Sequence, residues 1–178
     1  DATGKFVLPG WCDSHTHTVF AASRADEFED RLNGLTYEEI ANRGGGILNS
    51  ARKLASMSEE ELFTASFDRL NVMMSAGTVA VEIKSGYGLD EENELKTLRV
   101  IKRLKSEHPM EIKSTFLALH AIPLEYKNRV DEFVDVMVNE VLPKVAAEGL
   151  ADFVDAFCEE GYFSVAQMNQ LIDAAQEL

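Results

Sequence analysis

The chain has 178 residues, 46% of them apolar and 27% charged, with 31 acidic against 17 basic side chains and a formal net charge of −14. That length can bury about 70% of the unfolded surface in one core, and the composition is globular rather than disordered. The acidic surplus disfavours nucleic acid or an anionic membrane surface as partner, although a local basic pocket for a small anion stays possible.

No apolar run approaches the roughly 20 residues needed to span a bilayer, and the N-terminus lacks a basic-then-apolar secretory pattern. The two cysteines, Cys12 and Cys158, fall in predicted strands and read as buried free thiols. Disulfides are then not the framework, and a cytoplasmic setting is the expectation.

In chain order, a polar turn at residues 1–5 leads into an apolar strand, Phe6–Ser14, that runs through Pro9-Gly10 and ends at His15-Thr16-His17. Residues 18–50 form a long connection holding Arg24, the charged run Asp26–Arg31 and Gly44-Gly45-Gly46. A connection of that length is usually functional. Thr36 and Glu39 have capping-box spacing, which predicts a short helix from about Tyr37.

Ser58 and Glu61 repeat that spacing, and Phe63, Phe67, Leu70 and Met74 make one apolar helical stripe ending near Gly77. A Val/Ile-rich strand, Thr78–Lys84, follows and runs into Ser85-Gly86-Tyr87-Gly88. Asp90 can cap a helix over about 91–107 with Leu95, Leu98, Ile101 and Leu104 inward, closed by His108-Pro109. A third strand, Ile112–His120, precedes a helix with Val134, Met137, Val138 and Val141 on one face, interrupted or restarted at Pro143. The fourth strand is Asp152–Cys158. Ser164 and Gln167 then open a last helix, with Met168, Leu171, Ile172 and Ala175 inward.

Four strand-then-helix units with near-continuously apolar strands predict an α/β fold with a parallel sheet covered by helices. A doubly wound sheet and a (β/α)8 barrel both fit, but no Gly-x-Gly-x-x-Gly follows the first strand, so the dinucleotide-binding variant has no support. His15, His17, Tyr87, His120 and Glu159 all fall at or just past strand C-terminal ends, where barrel enzymes build their active sites. Four units are half of eight, and the chain reads as half of a TIM-type barrel.

On a strand, i and i+2 side chains share a face roughly 6.5–7 Å apart, so His15 and His17 can converge on one metal ion. Arg24 could grip a substrate carboxylate as a two-point fork, or pair with Asp26 or Glu27. Tyr37 could serve the same anion or staple its short helix, and Gly44–Gly46 could form an anion nest or a hinge. Tyr87, between two glycines after a strand, is presented rather than buried. His120 is either structural or a member of the same rim. Glu159 and Glu160 read mostly as solvated loop, and His108 as a surface residue far from the rim.

Pro9-Gly10-Trp11-Cys12-Asp13-Ser14-His15-Thr16-His17 is similar to the first-strand signature of the amidohydrolase superfamily of metal-dependent hydrolases. His15–Phe20, Tyr37–Ala41, Gly44–Ile47, Glu82-Ile83-Lys84-Ser85-Gly86-Tyr87-Gly88-Leu89, Phe116–Pro123 and Asp155–Glu159 together resemble the imidazolonepropionase family, nearly end to end. The resemblance implies a (β/α)8 barrel with a small β-sandwich, cytoplasmic and usually homodimeric. It also implies hydrolytic ring opening of 4-imidazolone-5-propanoate to N-formimidoyl-L-glutamate, in histidine degradation.

By the same resemblance His15 and His17 match ligands of one Zn or Fe ion, and Arg24, with Tyr37 beside it, matches the propionate-binding position. Tyr87 and His120 match substrate-binding positions, and His120 could also hydrogen-bond developing charge. The family's remaining metal ligands and its catalytic glutamate have no counterpart here, so the chain is expected to be an internal part of the enzyme. Residues 1–178 would then form the first four β/α units, with 1–7 the link from a missing sandwich part. The alternatives are another cyclic-amide hydrolase or deaminase of the superfamily, or an inactive half-barrel when isolated.

Overall fold

The computed structural model describes residues 1–36, 39–40 and 45–178. Four strands, β1 (Trp11–Thr16), β2 (Thr78–Lys84), β3 (Glu111–Leu119) and β4 (Phe153–Ala156), form one sheet in the order β1-β2-β3-β4. All three pairings are parallel. Spatial order identical to chain order separates the two topologies left open by the alternation, because a doubly wound sheet reverses direction at a switch point. The sheet is a curled half-barrel, consistent with half of a (β/α)8 barrel.

The described helices include α1 (Ala25–Leu32), α2 (Ile47–Ser56), α3 (Glu59–Ser75), α4 (Glu91–Glu107), α5 (Val130–Val136), α6 (Leu142–Ala147) and α7 (Val165–Gln176). Capping sets the starts of α3, α4 and α7. Ser58 and Glu61 exchange side-chain and backbone hydrogen bonds, Ser164 and Gln167 do the same, and the Asp90 carboxylate accepts the Asn93 N–H. Leu95, Leu98, Ile101 and Leu104 of α4 pack with Leu62, Phe63 and Leu70 of α3 and with Val81, Ile83, Ile112 and Phe116 of the sheet in one core. No described helix is long and apolar enough to cross a membrane.

Several expectations need correction. The first strand starts at Trp11, not Phe6: the Trp11 N–H donates to the Gly77 carbonyl at 2.9 Å, and β2 offers no neighbour earlier than that. Phe6, Val7 and Leu8 lie exposed outside the sheet. Cys12, within β1, is exposed rather than buried, and the half-buried Cys158 lies past the end of β4; both are free. His108 is buried instead of surface-exposed: its ring packs edge-on against Phe67 and bonds to Asn71 and the Met110 N–H.

The helix expected to be interrupted or restarted at Pro143 does restart there: a π turn over Met137–Val141 leads into α6, whose first turn holds Pro143. A proline lacks an N–H and crowds the carbonyl four residues back, which a wider turn accommodates. Ile172 is exposed although its neighbour Leu171 is buried. The short helix expected from Tyr37 lies largely outside the described residues, but its cap is present: Thr36 Oγ1 and the Thr36 N–H donate to Glu39, and Thr36 Oγ1 accepts the Glu39 N–H.

Candidate metal and substrate site

The site is built where β1, β2 and β3 end. His15 sits on β1 and His17 one residue past it, with ring centroids 5.8 Å apart. Tyr87 follows β2, and its ring meets His17 edge-on at 4.9 Å. His120 directly follows β3, stacks on His17 at 5.2 Å with 6° between the planes, and meets Tyr87 edge-on at 5.2 Å. Four residues from three strand ends therefore form one cluster, as the rim argument expected.

Local backbone explains this convergence. Thr16 Oγ1 donates to the Glu82 carbonyl at 2.7 Å, tying the end of β1 to β2. Beyond His17, the Thr18 carbonyl accepts from Arg69 Nη1 of α3 at 3.1 Å, and that guanidinium lies 3.5 Å over the Phe20 ring. The loop after β2 is held from behind by Glu94 of α4, whose carboxylate accepts the N–H groups of Gly86, Gly88 and Leu89. Gly86 has φ +99, and a Cβ there would lie 2.9 Å from His120 Nδ1, so only glycine lets the loop pass.

Electrostatics favour neutral imidazoles. Burial, then the neighbouring His120 and His15, lowers the His17 pKa to about 4. Burial likewise lowers that of His120. The His17 Nδ1 is buried and has no hydrogen-bond partner among the described residues. A neutral imidazole with an unpartnered ring nitrogen, beside a second imidazole, fits a divalent metal. His120 Nδ1 lies 2.8 Å from the Gly86 carbonyl oxygen; a carbonyl cannot donate, so Nδ1 carries the proton and Nε2 presents a lone pair.

Arg24 stands apart from this ring cluster: its Nε donates to Glu27 at 2.6 Å, the ion-pair alternative left open by the sequence. A cavity of about 190 Å³ beside it is lined by Arg24, Lys53 and three carboxylates, Asp26, Glu27 and Asp30. Tyr37 and Gly44 lie outside the described residues. Glu159 and Glu160 are exposed past β4. Among the described residues no group of three His, Cys, Asp or Glu is arranged to hold a metal ion.

Sequence reasoning missed Glu94, Arg69 and a charged network on the sheet. In that network Lys84, 8% exposed at its side chain, donates to Glu82 at 2.5 Å and to Asp155 at 3.1 Å, and Thr115 Oγ1 donates to Glu82 at 2.6 Å. The available signal was period two: Glu82 and Lys84 share one face of β2, while Val81 and Ile83 share the helix-covered other.

No family profile matches the chain. Among curated proteins it is 61% identical over 177 residues to an imidazolonepropionase of Christiangramia forsetii, covering 99% of this chain and 43% of that protein. It is similar at 56% over 177 residues to the imidazolonepropionase of Flavobacterium psychrophilum, with the same two coverages. It is similar at 51% over 178 residues to that of Clostridium tetani, covering 100% of this chain and 42% of that protein. The resemblance read from the motifs is borne out along the whole chain, which spans about 43% of the length of the curated relatives it matches.

Proposed function

We propose that this chain is imidazolonepropionase sequence, supplying the first four β/α units of an enzyme that opens the ring of 4-imidazolone-5-propanoate with water to give N-formimidoyl-L-glutamate. The observation that supports it best is the clustering of His15, His17, Tyr87 and His120 at three strand ends, in a chain 61% identical to an enzyme of that name.

In this reading His15 and His17 hold one Zn or Fe ion in neutral form, and burial keeps the His17 ring neutral down to about pH 4. When bound, such an ion polarises a carbonyl and makes water acidic enough to attack near neutral pH. A catalytic zinc takes about three protein ligands; the others, like the catalytic glutamate, belong to parts of the enzyme that this chain does not span. The whole enzyme is a cytoplasmic homodimer in this proposal.

The chain's own residues bind and orient. His120 has its Nδ1 proton committed to Gly86, so its Nε2 accepts a ring N–H of the imidazolone and fixes the ring's rotation. Tyr87, edge-on to both histidine rings, packs against the substrate ring and excludes water from that side. Arg24, together with Tyr37, anchors the propionate. To do so, the Arg24 guanidinium exchanges Glu27 for the substrate carboxylate, trading one ion pair for another rather than creating a charge contact anew. Anchoring the remote carboxylate converts binding energy into orientation of the ring.

The test is turnover by the complete enzyme. Loss of imidazolone absorbance with about one metal per subunit is expected, and His17→Ala should abolish both metal and turnover. Turnover of a different cyclic amide with none of imidazolone propionate would replace this assignment by another hydrolase of the superfamily.

A further inference from the structure

Glu94 is the one carboxylate of the described chain that is both buried and surrounded by backbone donors. It is 1% exposed. Its Oε1 accepts the N–H groups of Gly88 at 2.6 Å, Gly86 at 3.1 Å and Leu89 at 3.1 Å, and its Oε2 accepts that of Gly86 at 2.9 Å. These convergent amides form a concave nest around the carboxylate. Within it Leu89 adopts φ +62, the one positive φ of a non-glycine residue among those described. That conformation is disfavoured for a side chain with a Cβ and is held here by the bond to Glu94.

The wrapped loop is the one that carries Tyr87. The peptide after Tyr87 gives its N–H to Glu94, while the peptide before it gives its carbonyl to His120 Nδ1. Gly86 is thus gripped on its N–H side by Glu94 and on its carbonyl side by His120. A shift of the Gly86 backbone moves the Tyr87 ring and loosens the bond that sets both the orientation and the tautomer of His120. The close approach at Gly86 leaves no slack, since a Cβ there would already meet His120 at 2.9 Å.

We propose that Glu94 is the positioning residue of this site, setting Tyr87 and His120 together through the backbone of Gly86. It touches neither substrate nor metal. The inference rests on the reading of Tyr87 and His120 as substrate-binding residues, and it adds that their geometry is set by one carboxylate on a helix behind them. Glutamine in its place keeps the shape but exchanges one acceptor oxygen for an N–H₂ donor; with that donor at the Oε2 position the Gly86 N–H loses its 2.9 Å acceptor and faces another donor instead.

The complete, metal-loaded enzyme decides it. Glu94→Gln is expected to keep its metal content and to lower kcat/KM for imidazolone propionate by about a hundredfold, the scale of a misplacement near 1 Å. Glu94→Asp, which keeps the carboxyl group but retracts it, is expected to recover part of that loss. In the Glu94→Gln background, Tyr87→Phe and His120→Asn should each cost less than in the native enzyme, because the contribution that they remove is already impaired.

Full additivity, or a kcat/KM per metal-loaded enzyme within about twofold of native, would reduce Glu94 to a structural role and overturn the proposal. If Tyr87→Phe and His120→Asn alone leave kcat/KM unchanged, the substrate reading fails and the positioning role with it. If those two matter while Glu94→Gln is silent, the positioning role alone is overturned. Should Glu94→Gln not accumulate as folded protein, Glu94→Asp carries the same cycle with the same two outcomes.

Discussion

Lys84→Met places a side chain of similar length, without charge, into the network on β2, β3 and β4. The native ammonium donates to Glu82 and Asp155, and only 8% of its side chain is exposed. Removing one partner of a buried ion pair costs about 3–5 kcal/mol, because the other charge is left uncompensated. Two features reduce that here. Thr115 still donates to Glu82 at 2.6 Å, and the side chains of Glu82 and Asp155 are 21% and 42% exposed. A cost of about 2–3 kcal/mol at pH 7 follows.

In urea, with m of roughly 1–3 kcal/mol/M, the unfolding midpoint should fall by about 1 M or more. The deficit should also depend on pH. Burial raises the Glu82 pKa, but the hydrogen bonds from Lys84 and Thr115 and the Lys84 charge outweigh it, so the folded value lies below 4.5. A depressed carboxylate stabilises above its unfolded pKa, and the contribution is lost as pH falls through the folded value. The gap between native and Lys84→Met protein should therefore be widest near pH 7 and narrow below pH 4.5. Glu82→Gln added to Lys84→Met should restore part of the loss. Equal midpoints at pH 7, or a gap that does not change with pH, would refute the reasoning.

Gly86→Ala should lower kcat/KM more than it lowers Tm, since its Cβ meets His120 Nδ1 at 2.9 Å and the φ of +99 costs a further roughly 1–2 kcal/mol; paired kinetics and calorimetry read the two effects. The metal-free protein should lose stability as pH drops from 6.5 toward about 4, because the unfolded chain protonates His17 before the folded one does. His17→Asn should make that limb shallower, leaving the part due to His120 and His108, in denaturant titrations at a series of pH values.

The repeating units were legible in the sequence because their signals are local. Thr78–Lys84 carries β-branched residues at Thr78, Val79, Val81 and Ile83 between Gly77 and Ser85-Gly86. Helix α4 is framed by a capping aspartate and a proline, and both fall where expected. The proximity of the His15 and His17 rings was legible through their spacing. Other features depend on tertiary partners. Glu94 reads in sequence as one of several acidic residues complementing a helix dipole, and only the fold shows three backbone amides converging on it. The burial of His108 comes from Phe67 and Asn71, far away in sequence. The start of β1 was misplaced because apolar character at Phe6–Leu8 says nothing about whether a neighbouring strand reaches that far. Arg24 shows the converse: spacing offered both the anchor and the ion pair, and the structure places it against Glu27.

The order β1-β2-β3-β4 has a consequence for biogenesis. Each of β2, β3 and β4 pairs with the strand made just before it, and the described crossover helices are complete before the next strand emerges. Chains leave the ribosome at roughly 5–20 residues per second, N-terminal parts first. A strand that emerges thus has its hydrogen-bonding partner already synthesised, with no wait for a distant segment. A sheet whose order reversed partway would leave early strands searching for partners not yet translated. In this one, vectorial synthesis and sheet growth run in the same direction.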